Sequence, residues 1–302
     1  MKQIIKYIGN YFKEQDKNVL LLTTVFTAVF IYFNYHYGID KSISNVSPLL
    51  ERWGLRFGVY LVAFSIPYLL YTLLSRKKYI TNRQLVFLLF TGAALFGLKA
   101  SLGFDIKISD DAGLNNYWQH VFYWPLLLLI TITVLLVIWK TYDNDQPFYG
   151  LKTKNVTWTP YLLMLLIMLP LIAAASTQAD FLAMYPKLNS VVKHTGLSGW
   201  QKVLFELSYG SDFFTIEVFF RGFLVLAFIK WAGKDAILPM ACFYCSIHFG
   251  KPLGECISSY FGGLLLGIVV YNTRSIFGGL MVHLGIAWLM EIGGYIGNSL
   301  SH

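Results

Sequence analysis

A chain of 302 residues in which 56% are hydrophobic and 13% charged carries far more apolar side chain than one globular core can absorb, so lipid is the solvent for much of it. The same figures exclude an intrinsically disordered chain. The formal charge of +8 falls in short clusters between apolar runs rather than along one stripe, which fits membrane topology and argues against a nucleic-acid partner.

A charged tail through Lys17 precedes the first apolar run, 18–37. It is too long for a secretory signal and no small-residue cleavage site follows it, so it reads as a retained anchor. Further runs at 55–75, 84–100, 121–139, 159–175, 212–229, 237–250, 253–271 and 276–296 approach the roughly 20 residues that cross a bilayer. They predict an all-α, polytopic transmembrane helical bundle of about nine helices. No Ser-, Pro- or Gly-rich linker and no internal repeat interrupts it, so it reads as one continuous membrane domain: N-terminal helices over 1–175, an extracytoplasmic loop over 176–211 and a helical core over 212–302.

Lys and Arg between the runs set the orientation. With the N-terminus inside, the cytoplasmic segments hold Lys2 to Lys17, Arg76 to Arg83, Lys140 with Lys152 and Lys154, Lys230 with Lys234, and Arg274. The outer segments hold fewer, among them Arg52, Arg56, Lys187, Lys193 and Lys251. The bias predicts a cytoplasmic N-terminus. In the long Ser176–Gly210 segment, Phe181, Leu182, Met184, Tyr185, Leu188, Val191 and Val192 recur mostly at three- and four-residue steps, which predicts an interfacial amphipathic helix serving as a cap or a substrate-guiding flap. Cys242, Cys245 and Cys256 are too few for a disulfide framework, and one Cys-x-x-Cys pair is half a zinc site; they read as apolar filler.

The last third carries ionisable residues where lipid should exclude them. In the run Phe213-Phe214-Thr215-Ile216-Glu217-Val218-Phe219-Phe220-Arg221-Gly222, Glu217 precedes Arg221 by four residues, so the two are expected to share one helix face, in the favourable order. His248 ends the next run, and Lys251-Pro252-Leu253-Gly254-Glu255 opens the one after, with Pro252 at a first helical position and Glu255 in the first turn. The final run repeats the anomaly at His283 and Glu291. Singly, each has an ordinary reading: a structural ion pair, a helix-terminal charge, a hydrogen-bonded histidine. Glu217, Arg221, His248, Glu255 and His283 on consecutive spans instead predict one shared polar interior. Gly263-x-x-x-Gly267 and Gly278-Gly279 allow the close helix approach that this requires.

A carboxylate with two imidazoles can activate water. One group takes a proton while the other steadies an oxyanion or protonates the leaving group, which suits amide hydrolysis. The same Glu217, His248 and His283 could instead bind a divalent metal such as zinc with an open water position; residue types leave both open. No Gly-x-Ser-x-Gly elbow supports a serine hydrolase, and no paired, broken spans support a proton-coupled transporter.

At these residues, over about 212–290, the chain resembles the CAAX prenyl endopeptidase and bacteriocin-processing (CPBP, or Abi) family of intramembrane proteases. That family's first motif is two adjacent glutamates, three residues and an arginine, often followed by glycine; Ile216 through Gly222 match all but the first glutamate. Its second motif sets an aromatic before a histidine, met by Tyr244 and His248. Its third is a histidine followed at the fourth position by Asn, met by His283 and broken by Ala287. The resemblance implies an intramembrane endopeptidase acting on a membrane-associated peptide or protein, with Glu217, His248 and His283 catalytic and Arg221 and Tyr244 supporting. In the family the first glutamate is the water-activating base and the Asn helps hold the oxyanion, roles that Ile216 and Ala287 do not supply. By that carry-over Glu217 matches the second, supporting glutamate, so either Glu217 shifts inward to act as the base or Glu255 near His248 supplies the second carboxylate; a catalytically silent relative acting as a membrane peptide-binding, immunity or scaffold protein is the alternative. Without a transit peptide, and in a family broad in bacteria, a bacterial plasma membrane is expected.

Overall fold

A computed structural model describes residues 2–152, 158–192 and 196–300. Lys154 and Lys193, used in the orientation reading, lie outside the described residues. Among the described residues there is no strand, as the composition predicts.

The helices in chain order are α1 (Lys2–Glu14), α2 (Lys17–Tyr37), α3 (Ile39–Ser44), α4 (Leu49–Leu74), α5 (Arg83–Ser101), α6 (Ala112–Tyr142), α7 (Thr159–Ala175), α8 (Ala179–Met184), α9 (Lys187–Val191), α10 (Gly199–Ile216), α11 (Ile229–Ala232), α12 (Ile237–Ser246), α13 (Leu253–Thr273) and α14 (Phe277–Leu300). Local chemistry sets their ends. Asp16 accepts from the amides of Asn18 and Val19 to start α2, Asn82 from Leu85 to start α5, and Asp111 from Leu114 to start α6. Ser198 and Gln201 form a capping box on α10.

Among the described residues six helices, α2, α4, α5, α6, α13 and α14, are long and apolar enough to cross a membrane. The other three expected spans differ. α7 has 17 residues, a little short of the usual span. The run at 212–229 lies within a helix that begins at Gly199 and passes at Glu217 into an 11-residue π-helical stretch, Glu217–Ala227. α12 has ten residues, all buried; at about 1.5 Å per residue it covers about 15 Å, half of a bilayer core. It is a core helix by length, so helix lengths alone do not give the strict alternation of sides that nine spans imply.

Contacts divide the chain into two interleaved units. One takes Gly103–Val218 and Ser275–His302. Its core joins Tyr117, Val121 and Trp124 of α6 to Phe205 and Tyr209 of α10. Segment 176–210, expected to hold an interfacial helix, has two short helices, α8 and α9, and the start of α10; its Phe181, Tyr185, Leu188 and Val192 are buried in protein. α14 lies against α7, and Gly278 permits it: a Cβ there would fall within the Tyr161 ring.

The second unit takes Lys2–Leu102 and Phe219–Arg274. Its centre is aromatic, with Phe96 5.0 Å from both Phe219 and Phe220, ring centre to ring centre. α12 packs on α13 where the glycine spacing places it, and a Cβ on Gly263 would lie 3.3 Å from the Ala241 Cα. The buried thiol neighbours are Cys245 and Cys256, Sγ to Sγ 3.9 Å, rather than the Cys-x-x-Cys pair.

Candidate active site

In the first unit, Glu217 caps α10 and opens the π-helical stretch, and α14 carries His283. Glu217 has no solvent-exposed surface. Its Oε1 lies 3.0 Å from His283 Nδ1, and the imidazole retains 14% exposure. With the carboxylate ionised, Nδ1–H is the donor, so the neutral ring carries its lone pair on Nε2. Phe213 packs edge-on against the imidazole, centroids 4.9 Å apart, and is itself packed by Tyr209. The carboxylate and the aromatic wall both contact the imidazole and favour this ring orientation. The carboxylate is buried and the imidazole is the partly exposed member of the pair. This division of roles could not be read from residue types alone.

Phe213 was not singled out in the sequence. Its spacing of four residues before Glu217 on α10 is the signal that places it on the carboxylate's face. Glu291, on the same helix as His283, is 3% exposed, and both its oxygens accept from the Lys187 backbone N–H, at 3.0 and 2.8 Å. It therefore serves the start of α9.

In the second unit, Arg221 is fully buried with its guanidinium carbon 4.0 Å from the centre of the Tyr244 ring, a cation–π contact in a dry setting. Tyr244 in turn packs on His248, 4.7 Å between ring centres. His248 Nδ1 lies 2.9 Å from the Tyr244 carbonyl; a carbonyl only accepts, so Nδ1 carries the proton and Nε2 the lone pair of the neutral ring. Arg221 stands in the π-helical stretch, where hydrogen bonds close over five residues instead of four. The α-helical face rule applied to Glu217 and Arg221 therefore does not hold through it. Glu255 lies in the first turn of α13 as expected, 3.4 Å from Lys251 Nζ across an i,i+4 step.

Among the described residues no three His, Cys, Asp or Glu side chains stand together as metal ligands. Glu217 Oε1 and His283 Nδ1 are engaged with each other.

An all-helical, multi-pass membrane protein with a sealed carboxylate on a partly open imidazole is the class these observations define. Within it, residues 203–289 match the family model described as Rce1-like, type II CAAX prenyl endopeptidase Rce1-like. The matched segment contains Glu217, Arg221, Tyr244, His248, Glu255 and His283, and bears out the resemblance carried by the motifs. Comparison with curated proteins gave no match, and comparison with solved structures gave none.

Proposed function

We propose that the protein is an intramembrane endopeptidase that hydrolyses a membrane-associated peptide or protein. The observation that carries this reading is the buried Glu217 carboxylate on His283 Nδ1 within the matched segment. Glu217 fixes the ring and stabilises its cationic form. His283 Nε2 takes a proton from water as the water oxygen attacks the amide carbonyl carbon. Collapse of the tetrahedral intermediate breaks the C–N bond, and the imidazolium returns the proton to the leaving amine. The resemblance supplies His248 as the second imidazole. Glu255 is proposed as the second carboxylate, because Ile216 stands where the family has glutamate. The Lys/Arg bias supports a cytoplasmic N-terminus, and a bacterial plasma membrane is proposed with it.

Detergent-purified protein is tested on a membrane-peptide library and on a quenched peptide ending in farnesyl-Cys-aliphatic-aliphatic-X, the substrate class that the family description suggests. Cleavage lost in both His248→Ala and His283→Ala is expected. Equal fragment yields from wild type and both variants would overturn the reading. Ile216 and Ala287 favour one alternative, a silent relative that binds a membrane peptide in immunity or scaffolding. A folded wild type that binds the library but releases no fragments would support it. Metal analysis of the same sample tests for a bound divalent ion independently.

A further inference from the structure

We infer that Asn34, Tyr35 and Asp40, at the corner between α2 and α3, are positioning residues that hold His248 through the turn that follows it. This inference rests on the reading of His248 as a catalytic imidazole. Past Ile247 the backbone turns to three-residue steps, His248 N–H to Cys245 O at 3.0 Å, Phe249 N–H to Ser246 O at 3.4 Å and Lys251 N–H to His248 O at 2.9 Å. Such a turn is less tightly determined than a helix. Its outward carbonyls are taken by α2. Asn34 Nδ2 donates to Phe249 O at 2.9 Å, and the Tyr35 hydroxyl donates to Lys251 O at 2.5 Å.

The clamp is itself held. Asn34 is 3% exposed, and its Oδ1 accepts from the Asp40 backbone N–H at 3.0 Å, which fixes which end of the amide faces the turn. Asp40 Oδ1 receives Arg56 at 3.0 Å, and the other arm of Arg56 donates to Ser44 Oγ at 2.9 Å. Asp40 is thereby pressed against Gly250, where an added Cβ would lie 2.7 Å from Oδ2. Phe249 also packs on Phe30, centroids 5.0 Å apart. The space left among Asp40, Arg56, Tyr60, Ser246 and Phe249 is about 10 Å³, room for about one water. An apolar contact would bury this turn equally well, but only directional bonds fix its rotation. On the helix side the His248 ring is fixed by its bond to Tyr244 O, so backbone and ring are set from opposite ends.

The test uses the purified full chain with Asn34→Asp, which turns an acceptor towards Phe249 O, together with Gly250→Ala, Asp40→Leu and the conservative Asp40→Asn. Three readouts are taken: kcat and KM on the farnesylated peptide, the rate and pH profile of diethylpyrocarbonate modification at His248 with His120 as internal reference, and thermal unfolding. Misplacing a reacting group by about 1 Å costs about 100-fold, so Asn34→Asp, Gly250→Ala and Asp40→Leu are expected to lower kcat by about tenfold or more with KM within about twofold. The His248 modification rate should change severalfold while His120 stays constant, and Asp40→Asn, still able to accept from Arg56, should keep most of the rate. Variants that melt earlier but keep kcat per folded molecule and His248 reactivity would overturn the inference and leave a merely structural corner. If His248→Ala cleaves like wild type, the catalytic reading of His248 fails instead, and the modification rate still reports whether the clamp sets the ring.

Discussion

Replacing Glu217 by Gln preserves size and leaves an amide oxygen able to accept from His283 Nδ1, so the change removes charge and little else. A hydrogen bond to a charged partner contributes about 1.5–3 kcal/mol and a neutral one about 1 kcal/mol. The difference acts when His283 becomes imidazolium, and Glu217, with no exposed surface, has no bulk water to screen it. About 1–2 kcal/mol of lost transition-state stabilisation corresponds to a roughly 5–30-fold fall in kcat at about 1.36 kcal/mol per tenfold, with KM nearly constant. Glu217→Leu removes the acceptor as well, so neither tautomer nor ring orientation is held, and the loss should reach about 1000-fold or more. Initial rates on the farnesylated quenched peptide measure both, with circular dichroism melts confirming that each variant folds. A folded Glu217→Leu protein with wild-type kcat would refute the assignment of Glu217 as the group that orients His283.

Gly278→Val puts a branched side chain into the Tyr161 ring and should destabilise the protein by about 1–3 kcal/mol; adding Tyr161→Ala should recover part of the loss in thermal unfolding. Asp16→Ala removes the cap of α2 and should cost about 1 kcal/mol. The Ser75 hydroxyl, followed by the Val19 amide, holds the Asp16 carboxyl below the usual aspartate range. Its contribution is therefore complete above the unfolded value and lost as pH falls through the lower folded one, so denaturant midpoints of wild type and Asp16→Ala should converge in that acidic window. Glu255→Gln should lower kcat by about tenfold or more if Glu255 supplies the second carboxylate, while Lys251→Gln should not; an unchanged rate in both assigns the pair an ordinary structural role.

Helix positions were legible because the apolar runs are long, although their ends were not: the run read at 121–139 belongs to a helix that starts at Ala112 behind the Asp111 cap. What each helix does was less so. The run at 237–250 is equally apolar whether it faces lipid or core, and only packing shows the ten residues of α12 wholly buried. Likewise the apolar residues of segment 176–210 have an amphipathic spacing, yet Tyr185, Leu188 and Val192 are covered by protein. Glu217 and His283 were visible as anomalies in apolar runs, but their pairing spans 66 residues of sequence and is set by the packing of α10 against α14. The π-helical stretch at Glu217–Ala227 left no propensity signal, since the same apolar residues suit an α-helix.

The central claim is hydrolysis by an imidazole-activated water. Cleavage of the farnesylated peptide in water enriched in oxygen-18, followed by mass spectrometry of the fragments, tests it directly in wild type, Glu217→Leu, His248→Ala and His283→Ala. One heavy oxygen in the new carboxyl terminus with wild type, and loss of that fragment in His283→Ala with Glu217→Leu sharply reduced, is the predicted result. No labelled fragment from folded wild type, or the same labelled yield from His283→Ala, would contradict it.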